Sequence, residues 1–345
     1  MYCNFQIFKY LHTSGVIMSA SFTANEILYS TNSHLKSGHI DEGRGRIVWH
    51  LQDIEPGDWF IAIPSQSKDP HDQLGLAIER GARGLIVNRR AQYKSAPKDA
   101  TIIAVPDTKA ALLEMVRYWR HCVKPKVVGV TGSSGRRATM ILLSQLLQEN
   151  PRKTHCAFMH DLNWLGCAKD VLAMPRDTDV LIFEAGAVER GDIARIGGAL
   201  DPDLAVLTEV QHPLPSPERD EFFAAMYCEL LETLPEHSQD NLAAVVYDKN
   251  PAVQRKVQAL SDVLVQRFSQ SGLSLAHRVS EGALSALSKA MESSLGISVS
   301  RADLWCATEA AKALGLSQEA LAQMVQLQAE SESGNEVENS LKQFA

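Results

Sequence analysis

The sequence predicts an α/β protein: a small N-terminal α/β domain followed by a central phosphate-loop-type domain with a mainly parallel sheet flanked by helices. Three observations carry this. Apolar runs of strand length alternate with helix-period segments along most of the 345 residues. The second half repeats the strand-then-helix order that a parallel sheet requires. One unit, "VVGVTGSSGRRATMILLSQLL" at 127–147, places small residues where a strand turns tightly onto a helix N-terminus. A chain of this length suits two domains, and a content of 45% hydrophobic against 22% charged residues provides a core for each.

In chain order, residues 1–19 are an N-terminal extension. The opening "MYCNFQIFKYLHTSGVIMSASF" is only mildly apolar, is interrupted by Lys9, and lacks a basic start and a small-residue cleavage site, so it does not read as a signal peptide. Met18 is an alternative start. Helical patterning with a Ser/Thr cap begins in "SASFTANEILYS". The N-terminal domain, 20–123, then reads as a strand in "DWFIAI", a helix in "HDQLGLAIERGA" ending at a glycine, strands in "GLIVN" and "TIIAV", and a helix in "PDTKAALLEMVRYWRHCV". The hinge "KPK" at 124–126 leads into the central domain, 126–328, with strands in "VVGV", "DVLIFEAG", "DLAVLTEV" and "LAAVVYD" and helices between them. "ADLWCATEAAKALGLSQEALAQMVQLQ" closes it with helical sequence, and the tail 329–345 is polar and acidic enough to be disordered.

Composition excludes several classes of function. The net charge of -7 is spread along the chain, so no basic footprint points to nucleic acid or a membrane surface. No apolar run is long enough to span a bilayer. Cys3, Cys122, Cys156, Cys167, Cys228 and Cys306 form no CxxC pair and sit inside apolar segments, which argues against a zinc site or a disulfide framework and makes a reducing cytoplasm the simplest location.

In a parallel sheet, ligands gather at the carboxyl ends of the strands, where helix N-termini offer backbone N–H groups to anions. Thr131, Gly132, Ser133, Ser134 and Gly135 form such a loop, although "TGSSG" alone also describes a tight strand-to-helix connection. A working phosphate loop continues with a lysine that reaches the terminal phosphates and a hydroxyl that ligates Mg²⁺. Here Arg136 and Arg137 follow. Arg136 brings charge on a wide planar group, Arg137 cannot ligate a cation, and the alternative is that both point to solvent or pair with local carboxylates. Glu184 ends the strand "DVLIF" and suits either a Mg²⁺ ligand or a carboxylate at a helix N-terminus. His212 follows "DLAVLTEV" at the equivalent edge, as a second candidate metal ligand or a capping residue.

The order of "PGDWFIAI", "DPH", "AIERGARGLIV", "VVGVTGSSG", "LIFEAGAVERGDIARI", "PDLAVLTEVQH" and "ATEAAKALGLS" resembles the Mur ligases of peptidoglycan synthesis over residues 20–328, most of all the type that adds D-alanyl-D-alanine to UDP-N-acetylmuramoyl-tripeptide. The resemblance implies three domains: one for the UDP end of the substrate, a central ATPase, and a third for the incoming amino acid. It also implies chemistry in which ATP phosphorylates a carboxylate that an amine then attacks. The first two domains match this chain; the third has no counterpart in the residues after the closing helix.

Carried over by position, the family loop matches Thr131, Gly132 and Gly135, while its lysine and threonine fall on Arg136 and Arg137. The family's Mg²⁺-binding glutamate and histidine match Glu184 and His212. Its carbamylated lysine falls on Tyr227, and one asparagine of an Asn-rich segment is kept as Asn163. A His-Asn pair and a later Asn fall on Val299, Ser300 and Asp303; an Asp-Ser-Arg motif falls on His50, Leu51 and Gln52; an Asp-Gly-His motif falls on Asp69, Pro70 and His71. ATP and Mg²⁺ are therefore the family's cofactors, and these losses weigh against their binding here. The leading expectation is a catalytically impaired relative with a binding or regulatory role. Its partners would be a UDP-muramoyl-type ligand or cell-wall synthesis proteins. The alternative is a divergent ATP-dependent ligase that uses Glu184 and His212 for Mg²⁺ and a partner for the missing domain.

Overall fold

The computed structural model describes residues 19–65, 69–91, 96–97, 99–148, 152–159, 164–214, 216–234, 243–260, 265–270, 281–317, 319 and 321. The extension before residue 19 and the tail at 329–345 lie outside them. Among the described residues two compact units emerge, 19–124 with Val171–Arg176, and those of 125–170 with those of 177–321. The return of Val171–Arg176 to the N-terminal unit departs from the linear division expected from sequence. Hydrogen bonds cause it: Ala20 N donates to Leu172 O at 2.8 Å, and the Trp119 indole donates to Met174 O at 3.1 Å.

The N-terminal unit contains α1 (Ala24–Ser30), β1 (His34–Ser37), β2 (Ile47–Val48), β3 (Trp59–Ile61), α2 (Leu74–Glu79), β4 (Gly84–Asn88), β5 (Ile102–Val105) and α3 (Thr108–Val123). The expected Ser/Thr cap is Thr23, which forms a capping box with Glu26 and so satisfies two backbone donors of α1. Asp107 caps α3, and Lys124, in the left-handed region at φ 59°, ends it. The sheet order is β1-β5-β4-β3-β2, parallel except for β1 against β5. The helix expected from "HDQLGLAIERGA" is shorter than the pattern suggests. Its start is a 3-10 turn, Pro70–Gln73, because Asp69 accepts the His71 backbone N–H and Pro70 follows it.

The second unit contains β6 (Lys126–Thr131), α4 (Arg136–Gln148), β7 (Thr154–Ala157), α5 (Trp164–Leu172), β8 (Val180–Ala185), α6 (Asp192–Leu200), β9 (Leu204–Leu207), α7 (Pro217–Cys228), β10 (Ala244–Val246), α8 (Pro251–Gln258), β11 (Val265–Arg267), α9 (Glu281–Leu295) and α10 (Arg301–Ala313). Its sheet has the order β11-β10-β9-β6-β8-β7 and is parallel throughout. Alternation along β6 divides the core. Val128 and Val130 pack with Leu142 and Leu146 of α4 and Trp305 of α10, whereas a side chain at Gly129 would meet Phe183 and Leu230 on the other face. The first strand, β6, lies in the middle with β8 and β9 on either side, so the strand order reverses there. In a doubly wound sheet that reversal opens a crevice at the carboxyl ends. Among the described residues, no helix is long and apolar enough to cross a membrane.

Candidate functional site

Register aligns the crevice. Val130 pairs with Glu184 and Thr131 with both Ala185 and Leu207, so the loop after β6, the end of β8 and the segment after β9 start from one level. The loop turns through two glycines with positive φ, Gly132 at 137° and Gly135 at 80°, before α4 begins. Both angles belong to glycine.

What fills the loop is the chain itself. Ser133 N and Ser134 N donate to the Glu209 carbonyl at 2.9 and 3.2 Å, and the Ser133 hydroxyl donates to the same oxygen at 3.0 Å. The Thr208 hydroxyl lies 3.0 Å from Thr131 O and 2.6 Å from Ser134 O. Asp303, which closes a capping box with Ser300 at the start of α10, sets its carboxyl where a side chain at residue 135 would stand. Burial pushes that carboxyl above the ordinary aspartate range, with the nearby charge of Glu209 adding to the shift.

Arg136 and Arg137 both pair with Glu184, Arg137 with part of its side chain in solvent. Arg136 Nε lies 3.0 Å from Glu184 Oε1 and Arg137 Nε 3.2 Å from Oε2, with the glutamate side chain 2% exposed and the arginines 17% and 49%. Met159 N adds a third donor to Oε2 at 3.0 Å. Arg136 Nη1 reaches back to the Gly132 carbonyl, and Arg137 Nη2 donates to Met159 O at 2.8 Å. Two consecutive residues thereby tie the loop, β8 and the segment after β7 together.

Glu184 therefore does not fit the role of Mg²⁺ ligand. A divalent cation demands near-ideal octahedral oxygen coordination. Here both carboxylate oxygens are held by N–H donors, and the cation would have to enter beside two guanidinium charges. His212 does not complete a site either. Its Nδ1 lies 3.0 Å from both Leu214 N and Leu214 O, and its ring stacks on Phe223 at 4.9 Å. Phe223 stacks in turn on Tyr227 at 6.3 Å. Among the described residues, no group of three His, Cys, Asp or Glu side chains is placed to hold a metal. Tyr227 is buried, which raises its pKa, while the charge of Arg136 pulls it the other way. The expected site residues thus fall into two groups, Arg136 and Arg137 paired with Glu184, and His212 and Tyr227 stacked on either side of Phe223.

Other expected positions play structural parts. His71 is buried, its Nδ1 2.5 Å from Asp69 Oδ1 and its Nε2 accepting Asn88 N at 3.0 Å, a pairing that fixes the orientation of the ring. Leu51 and Gln52 form a 3-10 turn that His50 precedes. Val299 is buried in the core. Asn163 lies outside the described residues. Met159, Thr208 and Glu209 were missed: they act through backbone groups or a strand-end hydroxyl, for which the sequence carries no motif. The described cysteines, Cys122, Cys156, Cys167, Cys228 and Cys306, are free thiols.

Strand order, loop and helix together define a doubly wound α/β domain with a parallel sheet flanked by helices. Residues 130–281 match the Mur ligase middle domain, and the chain is a relative of the Mur ligases. It is 30% identical over 164 residues to the UDP-N-acetylmuramoyl-tripeptide--D-alanyl-D-alanine ligase of Rickettsia prowazekii, covering 48% of this chain and 35% of that protein. It is 29% identical over 159 residues to the Bacillus subtilis ligase of the same name, covering 46% and 34%. The matched segment thus spans about a third of these relatives' length. MurF from Acinetobacter baumannii superposes with a TM-score of 0.71 over 89% of this chain and 68% of its own, at 18% identity, a likeness of fold. MurF from Thermotoga maritima, solved in complex with ADP, gives a TM-score of 0.54 at 25% identity over 65% of this chain and 49% of its own.

Proposed function

We propose that this protein serves peptidoglycan synthesis as a binding or regulatory relative of the Mur ligases, in the cytoplasm, without ATP-dependent ligase turnover of its own. The observation that carries this reading is Glu184 held on both carboxylate oxygens by Arg136 and Arg137. Amide formation through an acyl phosphate requires charge stabilisation where the phosphoryl group is transferred. Removing a single electrostatic contact of that kind costs about 3 kcal/mol of transition-state stabilisation. Here Arg136 and Arg137 stand where the resemblance puts the loop lysine and hydroxyl, and Glu184 is engaged by both. The competing reading, an active ligase with Mg²⁺ on Glu184 and His212, requires both arginines to leave Glu184 and His212 to leave its Leu214 contacts.

A UDP-muramoyl-type ligand or another cell-wall synthesis protein is the partner that this relationship favours. The test is phosphate release from ATP in the presence of Mg²⁺, UDP-muramoyl peptide and D-alanyl-D-alanine. The expected result is release at the no-enzyme background; a ligase-like rate overturns the reading. Thermal stabilisation by UDP-muramoyl peptide alone would identify the ligand, because a ligand that binds only the folded state raises its stability by mass action.

A further inference from the structure

Three features of the second unit bear on one question, why this loop is closed. The backbone is not the obstacle: Gly132 and Gly135 keep their positive φ angles and α4 starts directly after them. The neutral tether is weak. The Ser133 and Ser134 amides share one carbonyl, that of Glu209, and bonds between neutral groups are about half as strong as those an anion would make with the same amides. The charged tether is different. Arg136 spans from Glu184 Oε1 to Gly132 O across the loop, and Arg137 spans from Glu184 Oε2 to Met159 O, so one carboxylate anchors both side chains at three segments of chain.

Charge counting sharpens the point. Two guanidiniums place the same formal charge opposite Glu184 as one divalent cation would, so the carboxylate is neutralised without metal. Arginine suits this because its planar fork serves two acceptors at once, which a lysine ammonium on a single stem does not reproduce.

We propose that Arg136 and Arg137 are an internal counter-cation for Glu184, an autoinhibitory contact that excludes magnesium nucleotides, and that the surrounding scaffold accepts one when the pair is replaced. The inference rests on the reading of the wild-type site as closed to nucleotide. With lysine at 136 and threonine at 137, Glu184 keeps only the Met159 N–H among its present donors. It becomes a buried carboxylate short of charge compensation, and the loop regains an ammonium and a hydroxyl of the kinds that reach phosphate and Mg²⁺.

The experiment is calorimetric titration of ADP into the wild-type protein and into the Arg136→Lys/Arg137→Thr variant, with Mg²⁺ and with EDTA. The wild type is expected to give no Mg²⁺-dependent heat. The variant is expected to bind ADP only with Mg²⁺, and adding Glu184→Gln should weaken that binding at least about tenfold, as loss of one group of a metal site typically does. A silent wild type with a folded but silent variant overturns the inference and leaves the proposed function standing. Mg²⁺-dependent binding by the wild type overturns the closed-site reading itself. Should the double variant not fold, urea denaturation of Arg136→Met, Glu184→Gln and their combination decides. Destabilisation smaller in the combination than the sum of the two supports the contact, and simple additivity overturns it.

Discussion

Glu184 and His212 leave β8 and β9, on either side of β6, and they end in opposite surroundings. The glutamate is buried under two guanidiniums and a backbone N–H, with all of its interactions charge-assisted. The histidine is half-buried, turned back onto Leu214 of its own loop, and held by the face of Phe223. The strands fix where both side chains begin, but neighbours supplied from elsewhere in the chain decide what each can do. A carboxylate surrounded by cations is closed to metal by charge. An imidazole stacked on a phenyl ring is withdrawn by packing.

The comparison breaks most sharply at the glutamate. Glu184→Ala is expected to cost about 3 kcal/mol in urea denaturation, the low end for a broken buried pair, because it strands the partly exposed Arg136 and Arg137 guanidiniums and the Met159 N–H. Phe223→Ala tests the packing end. It takes a ring from between His212 and Tyr227 and should cost about 2 kcal/mol, less than the roughly 3–5 kcal/mol of a fully buried phenylalanine. His212→Ala removes only one side of that stack and should cost about 0.5–1 kcal/mol, with no dependence on added Mg²⁺. A loss at His212 equal to that at Glu184 would erase the distinction between the two ends.

The smallest effect is a pH slope from β7, the strand beside β8. His155 Nε2 donates to Asp170 O at 2.8 Å, and burial holds the pKa of the ring below its ordinary value. The unfolded chain takes up its proton near the ordinary imidazole value of 6.5 while the folded chain resists. This contribution to stability is therefore complete above that pH and is lost as pH falls below it. Urea midpoints measured from neutral to mildly acid pH should show the slope, and His155→Gln should flatten it.

Much of this was legible in the sequence. The apolar period placed β6, β8, β9 and β10, the Ser/Thr cap placed α1, and the small residues of 131–135 placed the loop. Strands β1 and β11 were not legible, because "HLKS" and "VQR" are edge strands only partly buried and lack an apolar run. Strand β2 is only two residues long. At the site, the sequence left open whether the arginines met solvent or a carboxylate. Nothing local could decide this, since their partner lies 47 and 48 residues further along the chain. The same holds for Asp303, whose proximity to Gly135 comes from the packing of α10 onto α4.

Gly132 and Gly135 are constrained twice over, by positive φ and by the atoms around them. A methyl group at 132 would collide with Thr208, and one at 135 with the carboxyl of Asp303. Purely mechanical selection would therefore preserve both glycines in a lineage that never meets a nucleotide. A residue-by-residue tolerance map of this loop should show the glycines as immutable, and their persistence would record the shape of the domain's interior, leaving the neighbouring arginines as the positions where ligand history can be read.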